Sequence, residues 1–386
     1  MNKVRFGIIG IGKMGSQHCM RFTYGLIKNG VLTAVCDIAP ERKKWAEEKL
    51  APKGVEFFDD YKALIDSGKV DAVLIATPHY YHPVMAIYAL EKGLHTLIEK
   101  PAGVYTKAVR EMNEVAAAKP ELTFGIMYNQ RTNKLYRFAK ELVETGRLGS
   151  MKRINWIITN WYRPQAYYDQ GGWRGTWAGE GGGVLINQCP HQLDLFQWLG
   201  GMPSSVRAHT EVGKNRNINV ENDVTAFMEY ENGATGVFIT STHDFPGTNR
   251  LEIDGDKGKL VIEGGKLTFT ELAVSETEFN AVNRKFMPRI PSRKIKKRIG
   301  LLGQAKMFLF EQHTGIINNF ISNILFGTPL IAPGEEGIRG LTISNAIHLS
   351  GWTGEKVTLP INEDKYIEEL EKRKAEELAS AKKSVK

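Results

Sequence analysis

Short apolar runs recur along the first third of the chain, and turn residues bound each of them. In chain order they occupy residues 4–10, 32–37, 71–77, 95–100 and 122–128. Segments of helical length separate most of the runs, and a weaker strand is expected near 55–58. Because both faces of such buried strands must be covered, short apolar strands between helices predict βαβ units and a parallel, doubly wound sheet of about six strands.

The pattern changes after a helical segment near 131–145. Strands such as MKRINWIITNW then alternate apolar and polar residues, and ENG, DGDKG and EGG turns join them. Alternation with such turns is typical of antiparallel hairpins. Two segments with helical periodicity, HTGIINNFISNILFG and EEGIRGLTISNAIHLSGW, follow the strands, so we predict an α+β domain with an open, mostly antiparallel sheet.

The composition is that of a globular chain with two domains. Of the 386 residues, 42% are hydrophobic, which is enough for two packed cores. The N-terminus has no export signal, so we expect a soluble, cytoplasmic protein. The three cysteines form no CxxC pair, and HExxH and ligand-spaced acids are absent from the sequence, so we expect neither disulfides nor a metal.

The net charge of +8 comes from one segment. Residues 284–298 contain eight Lys or Arg residues and no acidic residue, and the rest of the chain is balanced. We expect a solvated loop with the start of a helix, although an anionic partner is the alternative. A nucleic-acid-binding domain is not indicated.

A glycine motif follows the first predicted strand. Gly10, Gly12 and Gly15 form GxGxxG at the opening of a helix, where the backbone can approach a pyrophosphate. The next strand ends at Asp37, 22 residues beyond Gly15, close to the ~20 at which an acid binds the ribose hydroxyls. That acid would repel a 2′-phosphate, so NAD is favoured over NADP, and purely structural glycines are the alternative.

These signals predict an N-terminal Rossmann domain over 1–128 and a second α+β domain over 129–362. They also predict a charged helix or tail over 363–386 that is solvent-exposed and frays. Ligands in such sheets lie beyond the carboxyl ends of the strands. Further cofactor contacts are therefore expected from Lys13, Met14, Thr77, Pro78, His82, Glu99 and Lys100. Lys100 is either a paired strand end or a functional amine that stabilises a developing alkoxide.

Several motifs of the chain resemble those of a known family. GIIGIGKMG, ATPHYYHP, EKP, and GGG followed by a helix with His191 are similar to motifs of the Gfo/Idh/MocA family, and the likeness runs from residue 4 to about 360. The resemblance implies NAD(P)-dependent oxidation or reduction of a sugar, cyclitol or glycoside, and homo-oligomers formed through the sheet of the second domain. It implies catalytic roles for Lys100, Asn187 and His191, and a cis bond between Lys100 and Pro101.

Asn187 departs from the family pattern, in which many relatives have aspartate. An amide can bind a hydroxyl or orient an imidazole, but it cannot take a proton, so the proton transfer falls on His191. Asn187 and His191 share a helical face only if the helix already includes 187. The alternatives are that Asn187 is the N-cap of a helix with Pro190 in its first turn, and that His191 is a buried structural histidine.

A loop rich in aromatic residues and glycine, at 160–180, precedes the GGG motif. Aromatic faces stack on pyranose rings, and Arg and Tyr bind hydroxyls, so the loop predicts a carbohydrate pocket; an oligomer interface is the alternative. The expected substrate contacts are Tyr162, Arg163, Tyr168, Trp173 and Arg174, with His243 from a later strand.

The sequence thus predicts an NAD-dependent dehydrogenase acting on a sugar, cyclitol or glycoside, with C3 of a glycoside as one candidate position. Two alternatives stay open. One is an enzyme that retains NAD and uses transient oxidation to cleave a glycoside, and the other is a dinucleotide-binding sensor without catalysis.

Overall fold

A computed structural model of the chain describes residues 3–300, 303, 307 and 309–384, with 381–384 described by their backbone alone. The chain divides into two units, Met1–Thr132 with Ala305–Leu341, and Asn133–Gln304 with Thr342–Lys386. The predicted domain boundaries at 128 and 362 differ from this division, because the late segment Ala305–Leu341 belongs to the first unit.

The first unit contains a parallel sheet of six strands in the order β3-β2-β1-β4-β5-β6. The strands are β1 Val4–Ile9, β2 Gly30–Cys36, β3 Glu56–Phe58, β4 Ala72–Ile75, β5 His95–Ile98 and β6 Phe124–Ile126. Every predicted strand of this sheet is confirmed. Because β1 and β4 are neighbours and their connections leave in opposite directions, the switch point of the sheet lies at their carboxyl ends.

Helices follow these strands as the periodicity predicts. They are α1 Lys13–Thr23, α2 Pro40–Lys49, α3 Tyr61–Asp66, α4 Tyr81–Glu91 and α5 Thr106–Ala117, with short 3-10 turns at Ala51–Lys53, Asn129–Thr132 and Gly334–Glu336. Helix Gln312–Phe326 also belongs to this unit, where the Phe320 ring lies 6.1 Å from that of Phe6 in β1. Apolar residues on that helix complete the cover of the sheet, which explains why it joins this unit.

The second unit contains a sheet of nine strands in the order β14-β13-β12-β11-β7-β10-β9-β8-β15. The strands are β7 Met151–Ile158, β8 Ser205–Val212, β9 Glu221–Glu229, β10 Thr235–Ser241, β11 Asn249–Gly255, β12 Gly258–Glu263, β13 Lys266–Leu272, β14 Ser292–Arg298 and β15 Val357–Thr358. Only the β7 and β10 pair is parallel among the described strand pairs of this sheet. In β9, Val224 and Ala226 are buried while Thr225 and Phe227 are exposed, so one face packs and the other is open.

Several helices accompany this sheet in the second unit. They are α6 Lys134–Glu144, α7 Gln165–Tyr168, α8 Pro190–Gly200 and α9 Glu276–Val282, followed by Gly337–Thr353, which begins in the first unit, and Glu363–Ser384. Phe196 of α8 packs edge-on against Phe238 of β10, with ring centroids 5.7 Å apart. Over the described residues, none of the helices combines the length and apolar composition needed to cross a membrane.

Two predictions about charged segments are wrong. The basic segment ends in strand β14 rather than in the start of a helix, because β13 supplies an antiparallel partner for Ser292–Arg298. The terminal helix is packed rather than fraying over its described side chains, since Tyr366 and Leu370 are fully buried. Glu377 of that helix also accepts hydrogen bonds from the backbone of Trp177 and Ala178, at 3.1 and 3.0 Å.

Candidate active site

The turn after β1 has the geometry of a dinucleotide-binding turn. Gly10 has a φ of +84°, and a Cβ there would lie 2.7 Å from the Ala76 carbonyl oxygen. A Cβ at Gly15 would lie 1.9 Å from the Gly10 carbonyl oxygen, so α1 packs on the turn only with glycine at that position. A Cβ at Gly12 would meet none of the described atoms within 4 Å, which leaves this side open to a ligand. These are the three roles that glycines have in such turns.

Helix α1 begins at Lys13, with Gly12 as its N-cap and Met14 half-exposed in the first turn. Among the described residues, no acidic side chain lies in that first turn and no side chain caps it. The backbone N–H groups and the positive end of the helix dipole therefore suit the negative charge of a pyrophosphate. The turn fits the phosphates of the predicted cofactor.

Asp37 follows β2 and is tied to the glycine turn. Its Oδ2 accepts a hydrogen bond from the Ile11 N–H at 2.8 Å, and its Oδ1 accepts one from the Ala39 N–H at 3.0 Å. A carboxylate oxygen has two lone pairs, so each can also accept from a hydroxyl. The two contacts fix the carboxylate in place, and its role at the ribose hydroxyls of NAD stays a prediction.

Lys100 stands at the end of β5, half-exposed, and its peptide bond to Pro101 is cis, as the resemblance implied. Glu99 beside it is buried: its Oε1 lies 2.7 Å from His18 Nε2, and its Oε2 accepts from the Lys100 N–H at 3.1 Å. Burial raises the pKa of the Glu99 carboxyl, but the hydrogen bond and charge of His18, together with the charges of His313 and Lys100, outweigh burial and hold the pKa well below its usual range. Glu99 thus fixes the backbone of Lys100, and its contact with the cofactor stays a prediction.

His82 is also buried and joins two loops at this end of the sheet. Its Nδ1 lies 2.7 Å from the Pro101 carbonyl oxygen, and its Nε2 lies 2.8 Å from the Thr77 carbonyl oxygen. Only 1% of the residue is exposed, and its contact with the cofactor stays a prediction. Thr77 is half-exposed and Pro78 is exposed, and both stay candidates for cofactor contact.

In the second unit, the GGG motif leads into a single π-helical turn, Val184–Gln188, that contains Asn187. Glu221 of β9 holds the start of this turn, because its carboxylate accepts from the Gly183 N–H at 2.8 Å and from the Leu185 N–H at 3.0 Å. Helix α8 begins only at Pro190, with Cys189 as its N-cap. The N-cap alternative for Asn187 is therefore wrong, and the π-turn separates Asn187 from the helix of His191.

Asn187 belongs to a polar cluster with Tyr167, Arg174 and Glu180, which we call the amide cluster. Arg174 Nη1 donates to Tyr167 Oη at 2.7 Å, and Asn187 Nδ2 approaches the same oxygen at 3.2 Å. Asn187 Nδ2 also donates to Glu180 Oε1 through a short hydrogen bond. Arg174 stacks between aromatic rings, 4.8 Å from the Tyr167 centroid and 4.6 Å from that of Trp173.

Glu180 is the buried acid of the amide cluster, with 1% of its surface exposed. Burial raises the pKa of its carboxyl to about 7, and the nearby Glu221 charge acts in the same direction. The Gly175 N–H, the Asn187 amide and the Arg174 charge oppose this rise. The cluster therefore contains a carboxylate that exchanges its proton near neutral pH.

The other predicted substrate residues are more dispersed. Arg163 lies 5.1 Å above the Tyr167 ring, next to the amide cluster. Tyr168 is buried with its hydroxyl 2.9 Å from Thr242 Oγ1, so it packs inward. Tyr162 contacts Phe245, with ring centroids 5.4 Å apart.

His243 pairs with a carboxylate rather than with the amide cluster: its Nε2 lies 2.8 Å from Asp223 Oδ2. His191, at the second residue of α8, is half-exposed. Among the described residues, His, Cys, Asp and Glu form no group of three placed to hold a metal ion.

Sequence reasoning missed Tyr167, Glu180 and Glu221. Glu180 had a visible signal, because it is a single acid directly before three glycines and an apolar run. Tyr167 could not be separated from Tyr168 without knowing which of two adjacent rings faces inward. Glu221 acts on the GGG motif from a strand 36 to 38 residues away, which no local pattern reveals.

Models of one family match both units. Residues 4–126 match the NAD-binding Rossmann fold of the Gfo/Idh/MocA oxidoreductases, and residues 136–261 match the Gfo/Idh/MocA C-terminal domain. Together the two matches span well over half of the chain.

Named relatives and solved structures agree with this match. The myo-inositol 2-dehydrogenase of Thermotoga maritima is 23% identical over 357 residues, which cover 89% of this chain and 95% of that protein. The WlbA dehydrogenase from Bordetella pertussis, solved with NADH and UDP-GlcNAcA, is 27% identical with a TM-score of 0.75, over 93% of this chain and 100% of that one.

A levoglucosan dehydrogenase solved with NADH and levoglucosan shares the fold, with a TM-score of 0.75 at 21% identity, over 93% of this chain and 100% of that one. The glycine turn, Asp37 and the two matching domains lead to the same conclusion. The chain belongs to the Gfo/Idh/MocA family of oxidoreductases, with NAD as its cofactor.

Proposed function

We propose that this oxidoreductase transfers a hydride between NAD and a secondary alcohol of a sugar, glycoside or cyclitol. The observation that carries the proposal is the amide cluster, in which Arg174, Tyr167 and Asn187 gather hydrogen-bonding groups beside stacked aromatic rings. Such a combination suits the hydroxyls and the apolar face of a sugar ring. The cluster lies on the segment that leads into α8, the helix that carries His191.

The proposed roles follow from the chemistry of each side chain. When bound, NAD supplies the acceptor for the hydride that leaves the carbinol carbon. His191 takes the hydroxyl proton as general base, a role typically worth about 10²- to 10⁴-fold in rate. Lys100 donates a hydrogen bond to the oxygen and stabilises the negative charge that develops there. The alcohol becomes a ketone, and one proton is released for each NADH formed.

We propose a cyclic polyol with a pyranose or cyclitol ring as the substrate, and C3 of a glycoside as the first position to examine. Trp173, which stacks on Arg174, offers an aromatic surface for the ring, and Arg163 adds a second cation beside Tyr167. The relatives named for inositol and levoglucosan, and the WlbA dehydrogenase solved with UDP-GlcNAcA, all act on or bind ring compounds rich in hydroxyls, which supports this class.

The test is the absorbance of NADH at 340 nm with free sugars, glycosides and inositols, measured with NAD and with NADP. We expect one substrate group to reduce NAD with the unmodified protein and not with His191→Ala. The matched control is His209→Ala, which removes an exposed histidine of β8 and should leave the rate unchanged. Lack of NADH formation with every alcohol, while nicotinamide copurifies, would favour retained-NAD chemistry or sensing instead.

A homo-oligomer formed through the open face of the second sheet, and a cytoplasmic location, stay predictions. Phe227 and Ile157 lie exposed on strands of that sheet and offer apolar surface for a second copy. Light scattering after size-exclusion chromatography tests the assembly, with a monomer mass as the contrary result.

A further inference from the structure

We propose that Glu180 is a positioning residue that orients the Asn187 amide, so that its oxygen rather than its NH₂ group faces the substrate hydroxyl. The inference rests on the proposed function and adds to it a residue that compensates for the missing aspartate at 187. It assigns no substrate contact to Glu180 itself, which is buried.

The two oxygens of Glu180 have different partners. Oε2 accepts a hydrogen bond from the Gly175 N–H at 2.7 Å, and Oε1 accepts one from Asn187 Nδ2. The Glu180 N–H in turn donates to the Thr176 carbonyl oxygen at 3.0 Å, which closes a short turn around the carboxylate. The side chain is therefore held at both oxygens and its backbone is held locally, so Oε1 has a fixed place.

These contacts engage the nitrogen of the Asn187 amide. An amide nitrogen has two hydrogens. One points at Glu180 Oε1, and the other lies toward Tyr167 Oη at 3.2 Å. Arg174 donates to the same phenol oxygen, which also accepts from Asn187 Nδ2. The amide then meets any further partner through Oδ1, which can only accept, and an alcohol that must lose its proton needs an acceptor.

The backbone under Asn187 is also fixed. The Asn187 N–H donates to the Gly183 carbonyl oxygen at 3.0 Å within the π-turn. Glu221 holds the N–H groups of Gly183 and Leu185, and its own Oε2 lies 3.1 Å from His348 Nε2. With its backbone fixed, Asn187 can still rotate its side-chain amide so that Oδ1 and Nδ2 exchange places. The hydrogen bond to Glu180 prevents this rotation.

Protonation of Glu180 gives this arrangement a dependence on pH. The groups that face its carboxyl include the Gly175 N–H, the Asn187 amide, the Arg174 cation and the Glu221 carboxylate. Burial raises the pKa of the Tyr168 phenol, and the charge of Glu180 in turn acts in the same direction. Because Oε2 is occupied by an N–H, a proton must reside on Oε1, which then donates toward position 187. The amide turns over to accept it and presents NH₂ instead of Oδ1. With the pKa raised to about 7, the acceptor orientation prevails above that pH.

Exchanging the two side-chain types tests the inference. In E180Q the new amide oxygen accepts from the Gly175 N–H and its NH₂ faces the Asn187 NH₂, so the asparagine must flip, and we expect kcat/KM to fall about 10- to 100-fold. In N187D two carboxylates meet, one must hold a proton, and we expect a similar fall at pH 7. In E180Q/N187D the glutamine NH₂ donates to the new carboxylate, and we expect recovery to within about fivefold of the unmodified protein.

The exposed Glu231→Gln at a hairpin turn is the matched control and should leave kcat/KM unchanged. Recovery in the double variant supports positioning, because a merely structural role gives no reason for two damaging changes to repair each other. A double variant that is at least as impaired as the worse single variant overturns the inference.

A second readout needs no substrate. In protein labelled with ¹⁵N-asparagine, the side-chain resonances of Asn187 are those that disappear in N187D. We expect them to shift with a midpoint near pH 7 in the unmodified protein and to stay constant in E180Q. If the Asn187 side-chain resonances do not shift with pH in either protein, the proposed contact between Glu180 and Asn187 is refuted. If they respond while no alcohol reduces NAD, the positioning contact stands and the proposed dehydrogenase fails, so the two failures are distinguishable.

Discussion

Replacing Glu180 with glutamine should make the protein more stable at pH 8 while making it less active. Burial raises the pKa of this carboxyl to about 7, so the folded protein holds the proton more tightly than the unfolded chain does. A raised carboxyl pKa contributes stability that is fully present below the unfolded pKa and is lost as the pH rises toward and through the folded one. Above pH 7 the folded protein therefore carries a buried charge that glutamine avoids.

The magnitude follows from the two pKa values. The carboxyl has an ordinary pKa of 4.5 and a folded pKa of about 7, a difference that corresponds to about 3 kcal/mol of unfolding free energy when Glu180 is fully ionised. Most of this develops between pH 5 and 8, where the unmodified protein should lose about 2 to 3 kcal/mol relative to E180Q. The glutamine oxygen can keep the hydrogen bond from the Gly175 N–H, so the change mainly removes the charge.

The assay is thermal unfolding of both proteins at pH 5, 6, 7 and 8 at constant ionic strength. For a unit of about 200 residues, 1 kcal/mol shifts Tm by about 2–4 °C, so the Tm of E180Q should gain about 5–10 °C on the unmodified protein between pH 5 and 8. E231Q serves as the control for removing a carboxylate from an exposed turn. A Tm difference between E180Q and the unmodified protein that is the same at all four pH values would refute the reasoning.

Three further predictions concern the first unit. Asp37→Ser removes the carboxylate that we expect to bind the ribose hydroxyls, so NAD affinity measured by calorimetry should fall about tenfold. The preference for NAD over NADP should shrink, and an unchanged ratio of the two affinities would contradict this role of Asp37. Gly15→Ala places a Cβ 1.9 Å from the Gly10 carbonyl oxygen, so both Tm and NAD binding should fall, and normal values for both would be inconsistent with the tight turn. Lys100→Met should lower kcat by about 10²-fold with little change in Tm, and a proportional rise in KM alone would instead indicate a binding role.

The fold of the first unit was largely readable from the sequence. Its strands are uniformly apolar because helices cover both faces, and glycine, strand and Asp37 follow each other at the spacing of a dinucleotide site. The return of helix Gln312–Phe326 to this unit was not readable. Amphipathic spacing shows that a helix packs on something, but it does not say on which of two sheets.

The candidate site of the second unit was readable only in part. The sequence indicated Asn187 and Arg174 as site residues, and the structure brings both to Tyr167. The sequence had indicated the neighbouring Tyr168 instead. The π-turn that carries Asn187 depends on Glu221, and the tertiary contact overrides the usual preference for an asparagine N-cap before proline. A turn held from a distant strand leaves no periodic signal in its own residues.

The packing of the terminal helix was missed for a related reason. Its charges suggest a solvated surface, yet Tyr366 and Leu370 are fully buried, and Glu377 accepts hydrogen bonds from the backbone of Trp177 and Ala178. Two well-placed apolar residues in a charged helix are too few to stand out by composition. They matter because both are fully buried.

The most direct test of the account is a single-turnover measurement at 340 nm, in which protein preloaded with NAD is mixed with each alcohol of the panel. It detects hydride transfer whether or not the cofactor is released. The account predicts a rise in NADH absorbance with at least one ring-bearing polyol, and loss of that rise in His191→Ala. A flat trace with every sugar, glycoside and inositol, from protein with full NAD occupancy, would contradict the assignment of this chain as an alcohol-oxidising enzyme.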